Sequence, residues 1–144
     1  MITEEITIQI VDWKEGQEKL TSVRRRVFVE EQRVPETLEL DGRDPEMIHA
    51  LALHGEHPVG TARMDRDGHI GRVAVLKEYR GRRIGDSLME ALEEEARRIG
   101  LKEIRLNAQV SAEGFYSRRG YVREGAIFEE AGINHITMSK KTDK

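Results

Sequence analysis

The chain has no cysteine among its 144 residues. That excludes a disulfide framework, a thiolate metal site and a cysteine nucleophile. Aromatic residues make up only 5% and the formal net charge is −3. Both the stacking surfaces and the basic face that nucleic-acid binding calls for are therefore missing. No apolar run approaches the length of a membrane span. The opening MITEEITIQI lacks the basic region and apolar stretch of a secretion signal, so the expected compartment is the cytoplasm. What is present is a charged chain of one-domain length, residues 1–144, long enough to bury a proper core.

Apolar spacing sets out the order of elements. Ile6, Ile8 and Ile10 alternate as in a half-buried strand at the edge of a sheet. From Lys14 to Val29, Leu20, Val23, Val27 and Phe28 recur at helical spacing, and Arg24 and Arg25 read as a solvated basic face. Residues 30–47 are polar and hold Pro35, Pro45 and the Asp41-Gly42 turn signal. A connection this long is expected to be a binding loop, the wall of an acceptor pocket. Three strands follow as an antiparallel meander over residues 48–76, and a helix from Arg82 to Ile99 carries the core stripe Ile84, Leu88, Ala91, Leu92, Ala96 and Ile99. Glu90, Glu93, Glu94 and Arg97 read as its solvent face. A strand at Ile104–Val110, parallel to its predecessor across the helix, a short helix at residues 111–119 and a closing hairpin complete the chain. Four histidines, His49, His54, His57 and His69, lie on or beside the hairpin strands without ligand spacing and read as surface or edge residues, so no metal site is expected.

The chemistry gathers at VAVLKEYRGRRIG, Val73 to Gly85, where a strand ends in a basic turn that opens into a helix. The unpartnered peptide N–H groups and the positive end of the helix dipole, ringed by Arg80, Arg82 and Arg83, want an anion. The stretch is not a Walker loop, which needs a longer glycine loop ending in Lys and Ser or Thr. Nor is it a dinucleotide fingerprint, since only Gly81 and Gly85 are available.

Its surroundings carry a family resemblance. The string V-A-V-L-x-x-x-Y-R-G-x-x-I-G resembles motif A of the GNAT superfamily of acyl-CoA-dependent N-acetyltransferases. LNAQ at Leu106 to Gln109 and FYSRRGYVREG at Phe115 to Gly125 resemble that family's second conserved region. The ending EEAGINHITM, together with VFVEEQRVP and LDGRD, resembles the ElaA/YjcF-like branch. One departure stands out. Arg83 occupies a place in the turn where the family usually has a second glycine, and a helical backbone there would still let its N–H donate.

The resemblance implies a single-domain α/β fold: a mixed sheet of six or seven strands, an antiparallel meander followed by a splayed parallel pair, flanked by about four helices. It implies acetyl-CoA as co-substrate. Val73, Ala74 and Val75 would offer main-chain groups to the pantetheine arm, Arg80, Gly81, Arg82, Arg83, Ile84 and Gly85 would hold the pyrophosphate, and Asn107 would hold the splayed strand end or the arm. Tyr116 would be the general acid on the departing thiolate. His135 is the candidate base, with Glu30 or a water chain as alternatives, because an alkylammonium must lose a proton before it can attack and an imidazole titrates near neutrality. The implied reaction is direct attack by a primary amine of a small molecule entering beside Arg26, Glu30 and His135. A peptide N-terminus is a further acceptor class, and a non-catalytic acyl-CoA-binding regulatory module is the alternative function. Exposed strand edges near the C-terminus are compatible with a homodimer.

Overall fold

The computed structural model describes residues 5–142, which build one seven-stranded sheet in the order β1-β2-β3-β4-β5-β7-β6. The strands are β1 (Ile6–Val11), β2 (Ile48–His54), β3 (His57–Met64), β4 (His69–Val75), β5 (Glu103–Gln109), β6 (Val122–Glu130) and β7 (Ile133–Lys141). The helices are α1 (Trp13–Arg24), α2 (Glu36–Glu39), α3 (Ile84–Arg98) and α4 (Glu113–Arg118). Asp12 caps α1 by accepting a hydrogen bond from the Glu15 N–H. At Arg25–Glu31 the helix loosens into a π-helical turn. Such turns often mark functional sites.

Alternation along β2 separates the two faces of the sheet. Leu51 and Leu53 pack with Leu20 of α1, whereas Ala50 and Ala52 belong to the core under α3. Gly60 on β3 lets α3 come close, since a Cβ there would sit 3.0 Å from Leu88 and 3.1 Å from Ile84. The sheet is antiparallel except between β4 and β5, which pair in parallel at only His69↔Arg105 and Ile70↔Leu106. Beyond that point β4 stays with β3 and β5 stays with β7, so the two strands part.

Three expectations need correction. Arg24 is not solvated. It is 1% exposed, and Glu39 and Asp44 hold it at 2.7 Å. Its helical position faces the 30–47 segment, which buries it and supplies the two carboxylates that offset desolvation. Glu93 is also buried, accepting from Arg119 at 2.7 Å and from the Tyr121 hydroxyl at 2.8 Å. His49 lies fully buried against Trp13, donating from Nε2 to the Asp44 carbonyl. The segment 30–47 is pinned: Arg24 from α1, Arg63 from β3 and Arg72 from β4 all bind its acidic or carbonyl groups.

Candidate active site

The parting of β4 and β5 opens a cavity of about 810 Å3 bordered by both strands, the π-helical turn, residues of the 30–47 segment, α4 and the β6–β7 turn. Leu76 donates its N–H to the Val59 carbonyl. Alternation then turns the peptide groups of Val75, one residue earlier, away from β3 and toward the opening. Val73, Ala74 and Val75 all border the cavity, and Arg72 beside them adopts a left-handed backbone with φ 52°. The β3–β4 register shifts between Thr61 and Arg63, with the extra residue on β4, where this kink lies.

A second cavity of about 800 Å3 continues from Val75, Arg80 and Gly85 to the start of α3. No side chain caps that helix N-terminus, and its first turn bond runs from Ser87 N–H to the Arg83 carbonyl. Gly81, Arg83 and Ile84 border this second space. Arg83 sits at φ 62°, ψ 21°, so its backbone is left-handed rather than helical. That conformation is why glycine suits the position, and an arginine there bears a cost of roughly 1–2 kcal/mol. Arg82 borders neither cavity and lies with its guanidinium 5.0 Å over the Tyr79 ring.

Tyr116, on α4, borders the main cavity with its ring wedged edge-on between Phe115 and Tyr121. Burial pushes its hydroxyl up to about 12, so it stays protonated at neutral pH. The ion pair of Arg119 with Glu93, and the Tyr121 bond to the same carboxylate, tie the end of α4 to α3 and fix that ring. His135, on β7 opposite Gln109, also borders the cavity and stacks against Phe128. Its Nδ1 is 2.7 Å from the Ile133 carbonyl, which can only accept. Nδ1 therefore donates, and in the neutral ring Nε2 is the nitrogen with the lone pair. Asn107 accepts from the Thr137 hydroxyl through Oδ1, leaving its NH2 group for the cavity it borders.

Two proposed acceptor residues fall elsewhere. Arg26 is exposed and paired with Glu78 at 3.0 Å, and Glu30 is exposed; neither borders the cavity. On a π-helical turn the later side chains rotate away from the positions that α-helical spacing gives: Val27 and Phe28 face inward as that spacing expects, but Gln32 borders the cavity in place of Glu30. Sequence reasoning also missed Gln32, Arg72 and Gln109 around the main cavity and Arg118 and Arg119 around the second. The two arginines of α4 lay in plain view in FYSRRGY, with helical spacing as the available signal. The π-helical turn left no signal for Gln32. Among the described residues no cluster of histidine, aspartate or glutamate is arranged to hold a metal ion, and no helix is long and apolar enough to cross a membrane.

A family model described as an acetyltransferase (GNAT) domain matches residues 11–142. The chain belongs to the GNAT acetyltransferase family. Among relatives of this GNAT protein is the uncharacterized N-acetyltransferase YjcF of Bacillus subtilis, 41% identical over 122 residues, covering 82% of this chain and 87% of that one. Protein ElaA of Escherichia coli is 32% identical over 131 residues, covering 85% of each. The crystal structure of Escherichia coli ElaA superposes with a TM-score of 0.83 at 29% identity, over 93% of this chain and 99% of that one. An aminoglycoside 6'-N-acetyltransferase complexed with coenzyme A shares the fold, with a TM-score of 0.77 at 18% identity over 96% and 98% of the two chains. The GNAT family and the splayed mixed sheet expected from VAVLKEYRGRRIG are both present.

Proposed function

We propose that this GNAT protein moves an acetyl group from acetyl-CoA to a primary amine of a small molecule by direct attack. The observation that carries this reading is the opening between β4 and β5. It frees the Val75 peptide groups of a strand partner in a cavity that Tyr116 and His135 also border, and it leads to the uncapped start of α3. An extended amide chain fits the free edge of β4, and a diphosphate fits the backbone N–H groups and the arginines at the turn. The residues present therefore suit acetyl-CoA. Val73, Ala74, Val75 and Asn107 would hold its arm, and Arg80, Gly81, Arg83, Ile84 and Gly85 its diphosphate.

Bound there, acetyl-CoA supplies an activated thioester carbonyl. His135 takes a proton from the attacking amine at Nε2, directly or through a water. The Val75 N–H stabilises negative charge on the carbonyl oxygen. Tyr116, protonated at neutral pH, gives its hydroxyl proton to the departing sulfur. No nucleophile of the protein is required, in keeping with a chain that has no cysteine.

The test is thiol release from acetyl-CoA against a panel of small amines, amino sugars and peptides. Turnover with a small primary amine supports the reading, and turnover with peptides alone would move the acceptor class. Tight CoA binding without thiol release from any acceptor would instead favour a regulatory acyl-CoA-binding module.

A further inference from the structure

Glu31 and Gln32, at the end of the π-helical turn, reach opposite lips of the splay. Glu31 accepts from both terminal nitrogens of Arg80 at 2.7 Å, and Arg80 donates from Nε to the Val75 carbonyl at 2.9 Å. Gln32 exchanges amide hydrogen bonds of 2.9 and 3.4 Å with Gln109, the last residue of β5. The turn is thus tied to β4 through Arg80 and to β5 directly, forming a brace across the mouth of the cavity.

The brace occupies two groups that the proposed reaction uses elsewhere. The Val75 carbonyl belongs to the free strand edge, and Arg80 belongs to the diphosphate turn. We propose that Glu31 is a positioning residue that parks Arg80 on Val75, and that an acyl-CoA diphosphate draws the guanidinium away and so releases the β4 side of the brace. The proposal rests on the acetyl-CoA reading above.

The balance of charges favours this exchange. The side chains of Arg80 and Glu31 are 42% and 38% exposed, and ion pairs this open are weak. A diphosphate brings more negative charge than one carboxylate and meets the positive end of α3 at the same time. The hydrogen bonds from Arg80 hold the Glu31 carboxyl below its ordinary value, so it is ionised at neutral pH. Once Arg80 leaves, that charge lies beside the diphosphate and repels it, which moves Glu31 outward and Gln32 with it.

Isothermal titration of CoA into the wild-type protein, Glu31→Gln, Arg80→Ala and the double variant tests the idea. Glu31→Gln should tighten CoA about threefold, because the competing pair is gone. The gain should vanish in the Arg80→Ala background. Weaker or unchanged CoA binding by Glu31→Gln would overturn the proposal, since a carboxylate that merely orients Arg80 for phosphate must lower affinity when removed. Equal tightening in both backgrounds would overturn it as well, reducing Glu31 to a general negative charge. If the wild-type protein binds no CoA, the coenzyme reading fails and takes this inference with it. If it binds CoA and only the Glu31 result fails, the coenzyme reading stands alone. Because Glu31 lies on the surface, the variant keeps the buried packing intact.

Discussion

Replacing Arg24 with methionine keeps most of the side-chain volume and removes the charge that pins the 30–47 wall of the cavity. Arg24 gives Glu39 hydrogen bonds of 3.0 Å from Nε and 2.7 Å from Nη2, and gives Asp44 one of 2.7 Å from Nη1. The side chains of all three are at most 4% exposed. Breaking a buried ion pair from one side costs about 3–5 kcal/mol because it strands the other charge. Here the carboxylates keep partial partners, Arg72 at 3.2 Å for Glu39 and Arg63 at 2.8 Å for Asp44, so the expected loss lies near the lower end, about 3 kcal/mol. For a domain of this size that is a fall in Tm of roughly 6–12 °C.

The pH dependence adds a sign to check. Burial alone would raise the Asp44 carboxyl, but hydrogen bonds and charge from Arg24 and Arg63 outweigh it and hold it below its ordinary value. A carboxyl depressed in the folded state stabilises the protein above its unfolded value, about 3.9 for aspartate, and that contribution is lost as pH falls through the folded value. Without Arg24 the depression is smaller, so the gap between wild type and variant should narrow below about pH 4. Urea unfolding followed by circular dichroism at pH 7 and pH 3 measures both numbers. A loss under about 1 kcal/mol at pH 7, or a gap that stays constant down to pH 3, would refute the claim that these buried charges hold the wall.

Four further outcomes follow from the site. Tyr116→Phe should lower kcat by about a hundredfold or more while CoA affinity stays within about twofold, as titration and steady-state kinetics would show; equal losses in both would make the ring structural. With Tyr116 held up to about 12, the wild-type rate should show no falling alkaline limb from this group below about pH 10. His135→Gln should lower kcat by about a hundredfold while CoA affinity holds, and an unaltered kcat would assign the base to another group. Arg83→Gly should raise stability by about 0.5–1 kcal/mol, the relief of left-handed strain less the added backbone freedom of glycine, whereas Arg83→Ala should not. Equal melting shifts for the two would show that charge, not backbone, matters there.

The elements legible in the sequence were those set by local periodicity. The edge strand, the meander, the apolar stripe of α3 and the parallel crossover into β5 appear within a residue or two of their expected bounds. The turn at Gly81 to Gly85 was legible because its glycines and arginines are contiguous. What escaped depended on partners distant in the chain. Nothing around Arg24 announces that Glu39 and Asp44, 15 and 20 residues later, will close over it. Nor does helical spacing reveal a π-helical turn, which swings Arg26 out to Glu78 and brings Gln32 in to Gln109. The left-handed backbone at Arg83 was foreshadowed only by the glycine that the family resemblance leads one to expect.

The charges around the splay divide into two kinds, and the division bears on how the site works. At the 30–47 segment Arg24, Arg63, Glu39 and Asp44 have side chains at most 6% exposed and are bound from α1, β3 and that segment at once. Such a network is costly to disturb, so this wall of the cavity is preformed. Around the residue 25–32 turn the pairs are Arg80 with Glu31 and Arg26 with Glu78, with side chains 38–54% exposed. Open pairs of this kind are weak and screened by salt. Motion on binding should therefore fall on the residue 25–32 turn and leave segment 36–47 in place. Rising ionic strength should loosen the mouth well before it touches the wall. On the proposed reading, a rigid wall facing a yielding turn would let the coenzyme arm enter between β4 and β5 without unmaking the pocket in which the amine is aligned.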